Sequence, residues 1–138
     1  MGEIVVEVEL ENQEDRVLVQ RGYLDESEIR HTRIPAIADT GAMMLALPED
    51  VVRQLGLQQV DSITARYADG RRDSLPVAGP LNIQIGERSM PTDCIVVPAG
   101  ADALIGQLVM ERLDLVADCT HQTLTPRPES PNRPLVRL

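Results

Sequence analysis

Short runs of alternating apolar and polar residues cover most of the chain and predict β-strands. In residues 4–10 the apolar side chains recur at every second position, as a half-buried strand requires. The other strand candidates are residues 16–20, 29–37, 58–67, 71–77, 80–86, 94–97, 113–118 and 122–125. Because Asp69 and Gly70 separate two of these runs, we expect a hairpin that turns there.

Two short helices interrupt the predicted strands. Residues 48–56 begin with Pro48, continue with two acidic residues and end at Gly56, the positions that these residue types favour in a helix. Residues 107–112 form the second predicted helix, entered directly from Gly106. The predicted fold class is therefore all-β, mainly β with two short helices, and the many short strands favour a small β-barrel.

The chain length of 138 residues fits one domain, which we place at residues 1–126. Four prolines between Pro126 and Pro134 predict an extended, partly disordered C-terminal tail over residues 127–138. The chain contains no Phe or Trp, so the core must be aliphatic.

The formal charge of −9 argues against a nucleic-acid partner, because such partners select a basic face. No apolar stretch approaches the roughly 18 residues of a membrane span, and acidic residues interrupt the N-terminal apolar run, so neither a membrane partner nor a signal peptide is expected. Cytoplasmic localisation follows as an expectation. Neither His31 nor His121 lies in a ligand-spaced pair, and Cys94 and Cys119 are far apart, so we expect no metal, no cofactor and two reduced thiols.

The segment with the most chemical information is Asp39-Thr40-Gly41-Ala42, which follows an apolar strand. This order delivers a carboxylate to the end of a strand at a tight turn. Gly41 permits close backbone approach, and backbone N–H groups of such a turn can point at the carboxylate oxygens. The Thr40 hydroxyl can bond to neighbouring backbone. The same sequence also occurs in ordinary turns.

A second segment, Leu104-Ile105-Gly106, places two large apolar residues and a glycine before the second predicted helix. With both segments in this order, the chain resembles the single-lobe, retropepsin-like aspartic proteases over residues 3–126. The resemblance implies their acid-protease fold, a closed β-barrel of one lobe. The helix at residues 48–55 and the segment 113–118 resemble bacterial members of that group.

The resemblance also implies an aspartic endopeptidase that acts on a peptide or protein substrate. Hydrolysis of this type uses two carboxylates that share one proton. The chain contains Asp-Thr-Gly once, so the pair must come from a homodimer, with Asp39 facing Asp39 of the second subunit. Thr40 would form a network beneath the carboxylates, and Gly41 would complete the loop.

The hairpin between the two motifs is the candidate flap over a bound peptide. We expect substrate contacts from this hairpin and from residues of the two motifs. The expected contact residues are Ala42, Tyr67, Ala68, Asp69, Gly70, Arg71, Leu104, Ile105 and Gly106.

Several positions depart from the family pattern. Met43 and Met44 replace acidic residues of viral members, Gln107 replaces a frequent arginine, and the hairpin tip is polar. These departures support an alternative, a catalytically inactive protease-like dimer that binds extended peptides. A third hypothesis is a plain β-domain in which Asp39 lies in an ordinary turn. For both methionines we expect a place in the core or on the pocket floor, with the core favoured.

Overall fold

Alternation along the first strand separates a buried side from an acidic outer side. The computed structural model describes residues 3–138. Met1 and Gly2 lie outside the described residues. The predicted start of the domain and the expectation of no signal peptide fall on these two residues. Ile4, Val8 and Leu10 are buried and Val6 is partly buried, which confirms the predicted face of residues 4–10. The strands are β1 Val5–Asn12, β2 His31–Ala38, β3 Ala46–Pro48, β4 Gln58–Arg66, β5 Arg72–Ile85, β6 Arg88–Val97, β7 Leu104–Ile105, β8 Leu115–Asp118 and β9 Thr123–Pro126.

Six strands close into a barrel in the order β1, β2, β7, β3, β6, β5, because β5 pairs back onto β1. The two apolar runs predicted at 71–77 and 80–86 form one strand, β5, with a shift of register between Ala78 and Leu81. The part of β5 before this shift pairs with β4, and the part after it pairs with β1. Strand β4 therefore lies outside the closed barrel. The closed single-lobe barrel confirms the predicted fold class.

The core is aliphatic, as the lack of Phe and Trp requires. Side chains from both ends of the chain meet inside the barrel and are at most 1% exposed. They include Val8, Leu10, Leu45, Leu47, Leu55, Leu81, Ile83, Ile105, Val109 and Leu113.

Three α-helices are present in the described residues instead of the two that the sequence predicts: α1 Gln13–Gln20, α2 Glu49–Gln54 and α3 Gln107–Leu113. The strand prediction for residues 16–20 is wrong, because they belong to α1. The side chain of Asn12 accepts a hydrogen bond of 3.0 Å from the Asp15 amide and so caps the helix. Glu14 and Asp15 occupy its first turn.

The other predicted elements are present. Helix α2 follows Pro48 and ends before Gly56, whose φ of +65° is the left-handed conformation that glycine adopts readily after a helix. Helix α3 follows Gly106, and β8 and β9 form the predicted final hairpin as a separate two-stranded sheet. Within residues 3–138, none of the helices is both long and apolar enough to cross a membrane.

After Pro126 the chain forms no further helix or strand and is attached to β6 and to the turn after α3. Two buried charged residues hold it. The guanidinium of Arg88 donates to the carbonyl of Ser130, and the carboxylate of Asp114 accepts from Arg127 and from the Leu135 amide. The domain boundary at residue 126 stays a prediction.

Candidate active site

Asp39 follows β2 directly, and its backbone is held by β7. The two strands run parallel, with Ile37 opposite Leu104 and Ala38 opposite Ile105. Beyond the last pair, the amide of Asp39 donates a hydrogen bond of 2.9 Å to the carbonyl of Ile105. The backbone position of Asp39 is therefore set by a buried strand.

The turn that contains Asp39 orients its carboxylate. The amide of Gly41 donates a hydrogen bond of 2.9 Å to Oδ1 of Asp39, and the amide of Ala42 donates to the Asp39 carbonyl at 3.1 Å. Asp39 is half-buried, whereas Thr40 and Gly41 are exposed. One carboxylate oxygen is thus bound by the loop, and the loop presents its next two residues to solvent.

Helix α3 holds the other end of the same loop. The amides of Gln107 and Leu108 donate to the carbonyls of Ala42 and Met43 at 2.8 and 3.0 Å. The first amides of a helix lack partners within the helix, so the loop carbonyls satisfy two of them. The structure therefore brings the two sequence motifs, around Asp39 and Gly106, together.

Strand β7 lies between the two strands that the Asp39 loop connects. It pairs with β2 in parallel, and its Leu104 pairs with Ala46 of β3 in the antiparallel direction. Both ends of the loop are consequently attached to the same two-residue strand, Leu104–Ile105. Ile105 is fully buried and Gly106 is buried, so these two residues support the loop from beneath.

A family model described as "gag-polyprotein putative aspartyl protease" matches residues 26–112, which include the Asp39 loop, β7 and most of α3. The chain belongs to this retropepsin-like aspartyl protease family. No curated protein matches the chain at a significant level.

In this member of the family the predicted flap is the hairpin of β4 and β5. The Gly70 amide donates to the Tyr67 carbonyl at 2.9 Å, and the Tyr67 amide donates to the Arg71 carbonyl at 2.8 Å. Gly70 has a φ of +84°, a conformation that favours glycine. The side chain of Asp69 accepts from the Arg71 amide at 2.9 Å, and the Arg71 guanidinium lies 4.6 Å from the centre of the Tyr67 ring.

The structure divides the predicted site residues into two groups. Ala42, Leu104, Ile105 and Gly106 lie with Asp39, Thr40 and Gly41 at one end of the barrel. The hairpin tip, which includes Ala68, is exposed to solvent. Among residues 3–138, no hydrogen bond joins the tip to the Asp39 loop.

The expectation that Met43 is a core residue is wrong, because its side chain is 70% exposed. Its carbonyl accepts the Leu108 amide, and Leu108 is itself 51% exposed. Leu108 is not among the residues predicted from the sequence. Its exposure could have been inferred from its position in α3, because residues 109, 110 and 113 form the buried face and residue 108 lies outside it.

The described residues contain no group of three or more His, Cys, Asp or Glu side chains that could hold a metal ion. The Asp39 loop itself supplies one oriented carboxylate per chain, and Met43 and Leu108 add two exposed apolar side chains.

Proposed function

We propose that this protein is an aspartic endopeptidase whose active unit is a homodimer. The observation that carries the proposal is the Asp39 loop itself. Its carboxylate accepts the Gly41 amide, its backbone is attached to β7 and α3, and the chain belongs to an aspartyl protease family. Because one chain supplies one such carboxylate, a second copy must supply the other.

In the proposed mechanism the two Asp39 carboxyl groups share one proton. The ionised carboxylate takes a proton from a water molecule, whose oxygen attacks the scissile carbonyl carbon. The protonated carboxyl donates a hydrogen bond to the carbonyl oxygen as it gains charge. The resulting tetrahedral intermediate is not covalently bound to the protein, and the proton passes to the leaving amine as the C–N bond breaks.

The hydrogen bond from Gly41 supports these roles of the two Asp39 carboxyl groups. It occupies Oδ1 of Asp39 and leaves Oδ2 available for the water molecule or for the partner carboxyl group. In the proposed dimer, Thr40 would contact the second subunit beneath the carboxylates. Thr40 is exposed in the single chain, as a residue that meets a partner there must be.

Exposed apolar surface beside the loop supports self-association. Met43 and Leu108 are 70% and 51% exposed, and a backbone hydrogen bond of 3.0 Å connects their residues. Pairing of two chains through the Asp39 loops would remove both side chains from water, which favours association.

The β4–β5 hairpin is the proposed flap. Strand β4 is at the edge of the sheet, so its outer backbone groups can pair with an extended peptide. The tip residues 67–71 and the neighbours of Asp39, namely Ala42 and residues 104–106, are the proposed substrate contacts. The tip has a polar surface that includes Asp69 and Arg71, so we expect polar substrate residues beside it.

The test is digestion of an unbiased peptide mixture from acidic to neutral pH by the parent, by Asp39→Asn and by Asp50→Asn. Asp50 is an exposed acid on α2, so its substitution is the matched control. We expect cleavage by the parent and by Asp50→Asn, no cleavage by Asp39→Asn, and a dimer in all three by sedimentation. Undiminished cleavage by Asp39→Asn would refute the proposed mechanism.

The second candidate function is an inactive dimer that binds extended peptides. It is favoured by Met43 and Met44, by Gln107 and by the polar hairpin tip, which depart from the family pattern. A folded dimer that retains peptides on a column but cleaves none would support it. A folded monomer at micromolar concentration would instead support a plain β-domain in which Asp39 lies in a turn.

We propose the cytoplasm as the location of the protein. Cys94 and Cys119 are both free thiols, and Cys119 is exposed. Exposed free thiols suit a reducing compartment.

A further inference from the structure

A cleft of about 650 Å³ lies at the end of the barrel remote from Asp39. Its lining includes His31 and Arg33 at the beginning of β2, whereas Asp39 follows the end of that strand. A strand of eight residues is roughly 25 Å long, so the cleft and the candidate active site are separate. A smaller cavity of about 240 Å³ shares Glu9, Arg33 and Gln84 with it. We call the two together the outer groove.

The floor of the outer groove is the outward face of four adjacent strands. Cross-strand partners line it in register: Glu9 lies opposite Arg33 on β2 and opposite Gln84 on β5, and Glu11 lies opposite His31 and Asn82 in the same way. Helix α1 and the short 3-10 helix Glu26–Glu28 form the wall. The segment between β1 and β2 therefore turns an ordinary sheet face into a groove.

Hydrogen bonds hold one side of the groove rigid. The guanidinium of Arg16 donates to both carboxylate oxygens of Glu11, at 2.8 and 2.9 Å, and to Glu26 at 3.2 Å. The amide of Asn82 also donates to Glu11, at 2.8 Å. These bonds, those from Arg16 above all, hold the pKa of Glu11 below its ordinary value despite partial burial. Glu11 and Arg16 thus form an ion pair with each other.

Other groups in the groove still lack partners. Glu9, which lines both cavities, forms no ion pair among the described residues, because Arg33 pairs with Glu7 at 3.7 Å. Gln13 lines the cleft, and its Oε1 is buried without a hydrogen-bond partner among residues 3–138. An unsatisfied buried acceptor destabilises the protein, so a donor there would be favourable.

The ring of His31 adds a third acceptor. Its Nδ1 lies 2.9 Å from the Ile29 carbonyl, and a carbonyl only accepts, so Nδ1 carries the proton. In the neutral ring Nε2 is then an acceptor.

Glu7, Glu9, Glu11 and Glu26 face two guanidinium groups, Arg16 and Arg33, along the groove. The groove therefore has excess negative charge and free acceptors, beside apolar surface from Met90 and Pro91.

We propose that the outer groove is a second binding site, which takes an alkyl chain that carries an ammonium or guanidinium group. The cation contacts Glu9, an N–H group satisfies Gln13, and the methylene groups lie on the apolar surface. Two sources provide this chemistry, namely a free polyamine-like cation and an arginine side chain of an extended peptide. Glu7, Glu9 and Glu11 alternate along β1, so their side chains recur about every 7 Å, as do alternate side chains of an extended peptide.

The test is calorimetric titration at low salt with agmatine, with acetyl-Arg-Val-Arg-amide, and with pentanoate as an anionic chain. We expect saturable binding of the two cationic probes and none of pentanoate. Tighter binding of the peptide would identify a peptide site, and tighter binding of agmatine a small-molecule site. Binding as tight for pentanoate as for the cations would overturn the proposal.

Variants locate the site. We expect Glu9→Gln to raise the Kd at least tenfold and Gln13→Leu to raise it about fivefold. Glu3 is an exposed acid outside the groove, so Glu3→Gln should change the Kd by less than twofold. Glu9 is exposed and unpaired, so its substitution preserves the fold. Equal effects of Glu9→Gln and Glu3→Gln would show diffuse attraction and overturn the proposal. Asp39→Asn should bind as the parent does, so this test is independent of the proposed peptidase activity.

Discussion

Gly106 lies so close to the backbone of Met44 that a β-carbon built on it would be 2.5 Å from the Met44 carbonyl oxygen. The same atom would lie 2.6 Å from the carbonyl carbon and oxygen of Met43. Backbone atoms cannot rotate away as a side chain can. Gly106 is thus required by the close approach of β7 and α3 to the Asp39 loop.

Gly106→Ala should therefore displace the Asp39 loop and destabilise the protein by about 1–3 kcal/mol, the usual cost of overpacking. Thermal unfolding followed by circular dichroism measures the loss, and amide shifts of residues 39–42 report the displacement. Gly41→Ala is the comparison, because its β-carbon would meet only Oδ1 of Asp39, at 3.2 Å. Equal losses of stability in the two variants would contradict this account.

Asn12 connects two helices through one buried side chain. Its Oδ1 caps α1 by accepting a hydrogen bond from the Asp15 amide, and its Nδ2 donates a hydrogen bond of 2.9 Å to the carbonyl of Leu55 after α2. Asn12→Ala removes the cap and leaves the Leu55 carbonyl without that partner, so we expect a loss of about 2–4 kcal/mol in unfolding free energy. Urea titration measures it, with the exposed Asn132→Ala as control. A loss under 1 kcal/mol would show that neither bond matters.

Attachment of the C-terminal segment should depend on pH through Asp114. Hydrogen bonds from Arg127, and then the one from the Leu135 amide, hold the pKa of the Asp114 carboxyl well below its ordinary value of 3.8. A lowered pKa means that the stabilisation is complete above 3.8 and declines as the pH falls toward the folded-state pKa. We expect a protected Leu135 amide at pH 6 that becomes exchangeable under strong acid.

Asp114→Asn should expose the same amide at pH 6, because the neutral amide group cannot attract Arg127 as the carboxylate does. Hydrogen exchange of Leu135 and proteolysis within residues 127–135 measure the release. Asp102→Asn, at an exposed acid, is the matched control. A Leu135 amide that stays protected in Asp114→Asn would show that Asp114 does not hold the segment.

The two cysteines should differ sharply in reactivity. Burial raises the pKa of the Cys94 thiol to about 12, whereas Cys119 is exposed. Only the thiolate attacks a disulfide reagent, so we expect one fast thiol per folded chain at pH 8 and two after denaturation. Cys119→Ser should abolish the fast reaction, and Cys94→Ser should not. A fast reaction in Cys119→Ser would place Cys94 within reach of solvent.

Local patterns sufficed for much of this fold. Alternation identified the buried side of β1, and the Asp69-Gly70 pair placed the hairpin between β4 and β5. The order of the Asp39 and Gly106 motifs indicated the family and the loop. Each of these signals depends on neighbours in sequence, which is why they could be recognised there.

Other features depend on contacts between distant residues. Helix α1 was predicted as a strand because Val17–Val19 is a short apolar run, and the cap from Asn12 outweighs that preference. The place of β7 between β2 and β3 has no local signature. The backbone of Met43 is bonded to α3, which lies far from it in the sequence, and the outer groove exists because α1 stands beside β1.

The same placement of β7 has a consequence during synthesis of the chain. The hydrogen bonds that attach residues 39–43 to the rest of the barrel come from residues 105–108, which leave the ribosome long after Asp39. A nascent chain can form the early β1–β2 pair but cannot yet order the Asp39 loop, since its partners are missing. We therefore expect the carboxylate to be oriented only when most of the polypeptide has been made. A chain that is still being synthesised would therefore lack the proposed peptidase activity and could not cleave other incomplete chains.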